Sequence, residues 1–194
     1  MVDLSVARSA PIVALSPAPV ADVTLAAAPP AARFILRDAA SIAAASRAFG
    51  VAIPTIPCRA ATSGANAACW LGPDEWLLIS PEAGASSLYD ALCSALAGAP
   101  HALVDVSHRQ AALLVEGQGA VAVLSASVPL DLADAAFPQG MVVRTIFDKA
   151  EIVLWRTGET SYRIEVWRSF APYVLALLEA ARDENAAILA ASSI

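Results

Sequence analysis

At 194 residues the chain is long enough to bury the core of one domain, and 58% hydrophobic against 15% charged residues make it apolar for a soluble protein. No apolar run approaches the roughly 20 residues of a membrane-spanning helix. A net charge of −6, with only 12 Lys and Arg scattered along the chain, excludes the basic stripe of a nucleic-acid binder.

The apolar excess points to a permanent partner surface or to a bias toward alanine. Cys58, Cys69 and Cys93 are widely spaced and form no CxxC pair, which fits reduced thiols in a cytoplasm rather than a disulfide framework or a zinc site. Residues 1–32 are rich in Ala, Pro, Val and Ser, with prolines at 11, 17, 19, 29 and 30. Asp3, Arg8 and Pro11 break any secretory signal. This segment is expected to be an extended arm, either a tail or a strap across a partner. Residues 33–194 are expected to form a single domain.

Phe34–Leu36 reads as a strand, and Asp38 as the cap of a helix over Ala39–Phe49 that Gly50 closes. Ala68–Leu71 and Glu75–Ser80 read as strands around a Gly72-Pro73-Asp74 turn. Leu88, Leu92 and Leu96 mark one face of a helix over Ser86–Ala97. Strands follow at Ala102–Val106 and Gln110–Val115, then a helix at Gly117–Ser125 and an irregular connection through Pro129 and Pro138. Val142–Phe147, Glu151–Trp155 and Ser161–Val166 are the last strands. The final helix is expected over Phe170–Glu184, capped by Ser169, with Tyr173, Leu177 and Ala180 or Ala181 toward the core. Hairpins alternating irregularly with helices imply an α+β domain with largely antiparallel sheet.

Three constellations invite a chemical reading. Gly117–Ala122 matches G-x-G-x-x-A after a strand, but no parallel strand with a terminal acid follows, so a tight strand-to-helix turn is the better reading. Asp105, Ser107 and His108 are neighbours, yet strand alternation puts His108 on the opposite face from the other two, so no local relay forms. Asp74 and Glu75 in a turn read as solvated or capping acids, and Asp105 with Arg109 as a structural ion pair at a sheet end. Trp76, Trp155 and Trp167 read as core or interface anchors. Arg168 and Ser169, at a strand-to-helix junction, read either as a pair that orients a partner's carboxylate or as a capped helix with a solvated arginine.

Leu71–Leu78, Val104–Gln110, Pro129–Leu132, Arg144-Thr145 with Lys149-Ala150, and Arg168–Tyr173 form an ordered set across residues 33–182. That set resembles the gamma subunit of heterotetrameric sarcosine oxidase. The resemblance implies ferredoxin-like βαββαβ units with largely antiparallel sheets, as in the folate-binding domain of aminomethyltransferases. It also implies alpha, beta and delta partner chains, with FAD, FMN and NAD on alpha and beta and zinc on delta. The whole enzyme would oxidise sarcosine to glycine and hydrogen peroxide, with the methyl carbon passed to tetrahydrofolate or released as formaldehyde.

On this view the chain is a structural subunit packing on alpha, with no catalytic, cofactor or metal residues of its own and poor solubility alone. Asp74, Trp76, Asp105, Arg109, Arg168 and Phe170 are its candidate interface residues. The alternative is a stand-alone folate-binding one-carbon transfer or repair protein, in which Asp105 or Glu165 would hold the pterin.

Overall fold

A computed structural model describes residue 20, residues 22–37 and residues 40–192. The cap expected at Asp38 lies outside these residues. Strand β1 (Thr24–Ala27) precedes β2 (Ala31–Arg37), helix α1 (Ile42–Phe49), β3 (Ala60–Ser63), β4 (Asn66–Gly72), β5 (Glu75–Pro81), α2 (Ala85–Leu96) and β6 (Ala102–Asp105). The second half holds β7 (Gln110–Glu116), α3 (Ala120–Ser125), β8 (Val142–Phe147), β9 (Ala150–Arg156), β10 (Ser161–Trp167) and α4 (Ala171–Ala191).

The strands form two antiparallel five-stranded sheets, ordered β3-β4-β5-β2-β6 and β8-β9-β10-β7-β1. The two orders correspond strand for strand. Each sheet is a ferredoxin-like unit with one added hairpin strand, β3 or β8. In the first unit the closing strand β6 follows α2; in the second that place beside β7 is taken by β1. Thr24–Ala27, within the segment expected as an arm, is thus the edge of the second sheet, pairing Leu25 with Val115.

Alternation of side chains makes four layers. Phe34 and Leu36 of β2 and Trp76 and Leu78 of β5 pack on Phe49, Leu92 and Leu96 of α1 and α2. The intervening Leu77 and Ile79, with Cys69, meet Val142 and Val153 of the other sheet. Both faces of β5 are therefore buried, which is why its sequence is a continuous apolar run. Behind the second sheet, Leu113, Ile152, Leu154, Ile164 and Val166 pack on α3 and α4 through Val123, Leu124, Val174 and Leu178. Gly50 ends α1 with a left-handed φ of 75°, and its N–H donates to Ser46 O.

The final helix departs from expectation in three respects. Its N-cap position is Phe170, without a side-chain cap, so Ser169 does not serve as the cap; Pro172 does sit in the first turn. It runs to Ala191 instead of Glu184. It buries Ala171, Val174, Leu178 and Arg182, with the expected Leu177 and Ala181 partly buried against the same core and Tyr173 left exposed. A helix so rich in Ala and Leu carries apolar residues on nearly every side, so periodicity cannot choose among them.

Candidate functional site

The layer between the sheets holds buried charge. Arg33 of β2 is 3% exposed, and its Nε donates to Glu165 Oε2 of β10 at 2.6 Å, while its Nη1 donates to Ala31 O. Glu165, equally buried, also receives Arg163 Nε at 2.8 Å on Oε1, so one carboxylate lies between two guanidinium groups. Two cations and several hydrogen bonds offset the cost of removing that carboxylate from water. Next to it, burial and then the Glu165 carboxylate push the Cys69 thiol up to about 12. Cys58, Cys69 and Cys93 are all free.

A second cluster ties the sheets at the open end of the layer. Glu75, at the start of β5, is 7% exposed and accepts from Arg37 of its own sheet and, at 2.5 Å, from Arg144 Nη2 of the other. Glu75 is therefore a bridge between sheets, not the solvated turn acid that its position beside Asp74 suggests. Asp74 stays exposed, 3.8 Å from Arg37 Nη1. Trp76 is a core residue, 2% exposed, whose Nε1 donates to Pro54 O at 2.7 Å, so it offers no surface to a partner.

The Val104–Gln110 block turns the chain from one sheet to the other. Ser107 is buried; its Oγ accepts from the Arg33 N–H at 2.8 Å, and its own N–H donates to Asp105 Oδ1. Ser107 and Asp105 thus hold the crossover and the backbone beside the Arg33–Glu165 pair. The Asp105–Arg109 ion pair is not made, because Asp105 folds back onto Ser107 and the Arg109 guanidinium lies 5.4 Å from the centre of the Trp167 ring. Arg109, Arg168 and Phe170 come together at the β10–α4 junction: the Arg168 N–H donates to Arg109 O, and the Phe170 N–H to Trp167 O.

Gly117 has φ +121°, and a Cβ there would meet Asp22 O at 1.7 Å. Its N–H is already donated to Thr160 O, and Asp22 and Glu116 line the adjacent hollow. The glycine is required by the close approach of the chain leading into β1, and two carboxylates face the place a pyrophosphate would occupy. Sequence reasoning also missed Arg156, which is 4% exposed, donates to Phe137 O and holds the connection before β8 onto the sheet. Its position in a strand gave no sign of that role. Among the described residues no three His, Cys, Asp or Glu side chains could jointly hold a metal ion.

Fold and site together define a class: a four-layer scaffold whose charged groups are turned between its own sheets, with arginine and aromatic side chains exposed at one end. Within that class the chain belongs to the sarcosine oxidase, gamma subunit family, whose model matches residues 34–184. It is 37% identical over 147 residues to the sarcosine oxidase subunit gamma of Corynebacterium sp. strain U-96, covering 75% of this chain and 70% of that one. It is 37% identical over 123 residues to the Arthrobacter sp. subunit, covering 63% of this chain and 60% of that one.

A chain of the heterotetrameric sarcosine oxidase from Corynebacterium sp. U-96, solved with pyrrole 2-carboxylate, superposes with a TM-score of 0.80 at 33% identity, over 87% of this chain and 88% of that one. Aminomethyltransferase T of the Bartonella henselae glycine cleavage system shares the fold at a TM-score of 0.61 and 14% identity, over 82% of this chain and 46% of that one. Both matches bear out the fold expected from the resemblance.

Proposed function

We propose that this chain is the gamma subunit of a heterotetrameric sarcosine oxidase and acts there as a structural, non-catalytic component packed against the alpha chain. The observation that carries the reading is likeness along nearly the whole fold to a chain of such a complex, at an identity well above fold-level similarity. In this role the complex demethylates sarcosine to glycine, yielding hydrogen peroxide and either methylenetetrahydrofolate or formaldehyde. FAD, FMN and NAD reside on alpha and beta, zinc on delta, and none on this chain. The complex works in the cytoplasm; among the described residues no helix is long and apolar enough to cross a membrane.

Two features support a supporting role over a catalytic one. The polar residues most unusual in the sequence, Arg33, Glu75, Ser107 and Glu165, are engaged with one another or with backbone. The exposed candidates Asp74, Asp105, Arg109 and Phe170, with half-buried Arg168, stand at strand ends, turns and the β10–α4 junction, where a partner can reach them.

Co-expression with the alpha, beta and delta chains, purified on a tag carried by this one, tests the proposal. A coloured complex that oxidises sarcosine, and loses activity or falls apart without this chain, is the expected result. An active assembly of the other three that excludes this chain overturns it. In that case, folate binding by the lone chain would favour the stand-alone reading.

A further inference from the structure

Of the two arginines lining the small cleft at the open end of the sheet layer, Arg144 holds Glu75, while Arg109 pairs with no carboxylate among the described residues. Glu165 and Glu151 line the cleft too; Glu165 is taken by Arg33 and Arg163, and Glu151 pairs with neither cleft arginine. The Arg109 guanidinium carbon lies 5.4 Å from the centre of the Trp167 ring, and a guanidinium held against an aromatic face still has N–H donors along its edge to offer a carboxylate.

The surroundings are apolar and exposed: Trp167 is 43%, Phe170 41% and Val104 51% accessible. Val104 stands opposite Ile35 in the β2–β6 register, so both lie on one face, and Ile35 is itself a wall of the cleft. The cleft encloses about 20 Å³, room for one water or the tip of a side chain and too small for a whole small molecule.

We infer that this patch receives a segment of a partner chain that carries an Asp or Glu carboxylate flanked by apolar side chains; the inference rests on the subunit reading above. The carboxylate takes the paired N–H edge of Arg109, and the flanking groups cover Trp167, Phe170 and Val104. Covering those three apolar side chains removes the Arg109 edge from water. A buried guanidinium without an acceptor is costly, and a carboxylate matches its fork with two parallel charge-assisted bonds. A central Trp and Arg ringed by apolar contacts is also the composition that concentrates binding energy.

The test is dissociation of the assembled four-chain complex on dilution, at two salt concentrations, with the wild-type chain and with Arg109→Ala, Arg109→Lys, Trp167→Ala and Phe170→Ala. Arg109→Ala and Trp167→Ala should each loosen the chain by at least about tenfold. Arg109→Lys should recover only part of the loss, since the charge returns without the fork. Added salt should weaken the wild-type complex more than the Arg109→Ala complex.

If Trp167→Ala fails to fold, Phe170→Ala and Arg109→Lys, which leave the core untouched, carry the measurement. A wild-type complex whose stability all these variants match overturns the inference and leaves the subunit reading standing. A wild-type chain that never joins the complex overturns the subunit reading, and this inference with it.

Discussion

The two halves of the molecule solve one problem with different stretches of chain. In the first, β2, α1, the β4–β5 hairpin, α2 and β6 follow in order, so the sheet closes with the strand that comes next. In the second, α4 is followed by no strand among the described residues, and the vacant edge of β7 is filled by β1 from the other end. Apart from the single bridge of Arg59 with Met141, every strand pairing of the first half lies within that half, whereas the second is completed by a pairing across about 90 residues, such as Leu25 with Val115. The difference shows that the arrangement of strands in space, and not their order in sequence, is what the core requires. It also makes the second half the more fragile of the two.

Removing residues 1–27 is the largest way to break the comparison. It strips fully buried Val23 and Leu25 from the second core and bares β7, a loss of about 5 kcal/mol or more when the ladder bonds are included. In urea the truncated chain should lose the coincidence of its probes, with Trp155 and Trp167 in the second half reporting unfolding before Trp76 in the first. A single coincident transition at the wild-type midpoint would show that β1 is dispensable.

The charged clusters sharpen the contrast between buried and open parts of the sheet layer. Glu165→Ala leaves the 3%-exposed Arg33 without its partner and should cost about 3–5 kcal/mol in a denaturation experiment. Glu75→Ala releases Arg37 and Arg144, which are 54% and 39% exposed and can turn to water, so its cost should be about 1–2 kcal/mol. Equal losses would mean that both clusters are equally sealed.

Gly117→Ala tests the junction that β1 shares with the second half. The new Cβ would collide with Asp22 O at a φ that side chains avoid, so about 3 kcal/mol should be lost, with the first core unaffected in hydrogen exchange. The smallest effect concerns pH. The Cys69 thiol is held neutral, its folded value of about 12 lying above the ordinary 9.0. Near neutral pH its contribution therefore leaves no pH dependence: it is complete below pH 9 and is lost only as pH rises toward 12. Cys69→Ala should flatten that part of a stability–pH curve, and in the native chain Cys69 should resist thiol reagents that label Cys58 and Cys93.

Much of this architecture was legible because local rules and tertiary contacts agree. Gly50, the Leu88–Leu96 stripe and the Val142–Phe147 strand each carry their own signal, and the helix through Leu92 and the strand through Phe147 lie where pattern placed them. Strand β1 was not legible: Thr-Leu-Ala-Ala between prolines looks like linker until β7 offers it an edge. The face of α4 was hidden for the reason already given, too little contrast round the helix.

At the candidate site, blocks 71–78 and 104–110 stood out because each sets polar residues into an apolar strand pattern, Asp74 and Glu75 in the first and Asp105, Ser107, His108 and Arg109 in the second. Their partners could not be read: Glu75 finds Arg144, and Arg33 finds Glu165, across sequence gaps of 69 and 132 residues. Trp76 reads equally as a core or an interface anchor, because nothing in the sequence distinguishes an aromatic that meets helices from one that meets a partner. Its hydrogen bond to Pro54 decides the matter.

The pairing of Leu25 with Val115 also fixes a timetable. During synthesis β1 leaves the ribosome first and its partner β7 about 90 residues later, a delay of roughly 5–20 s at about 5–20 residues per second. Through that interval the first unit can fold beside a short apolar strand that has nowhere to pair. The second unit must wait for β10 as well before its sheet exists. A growing chain thus carries β1 unpaired until both β7 and β10 have been made.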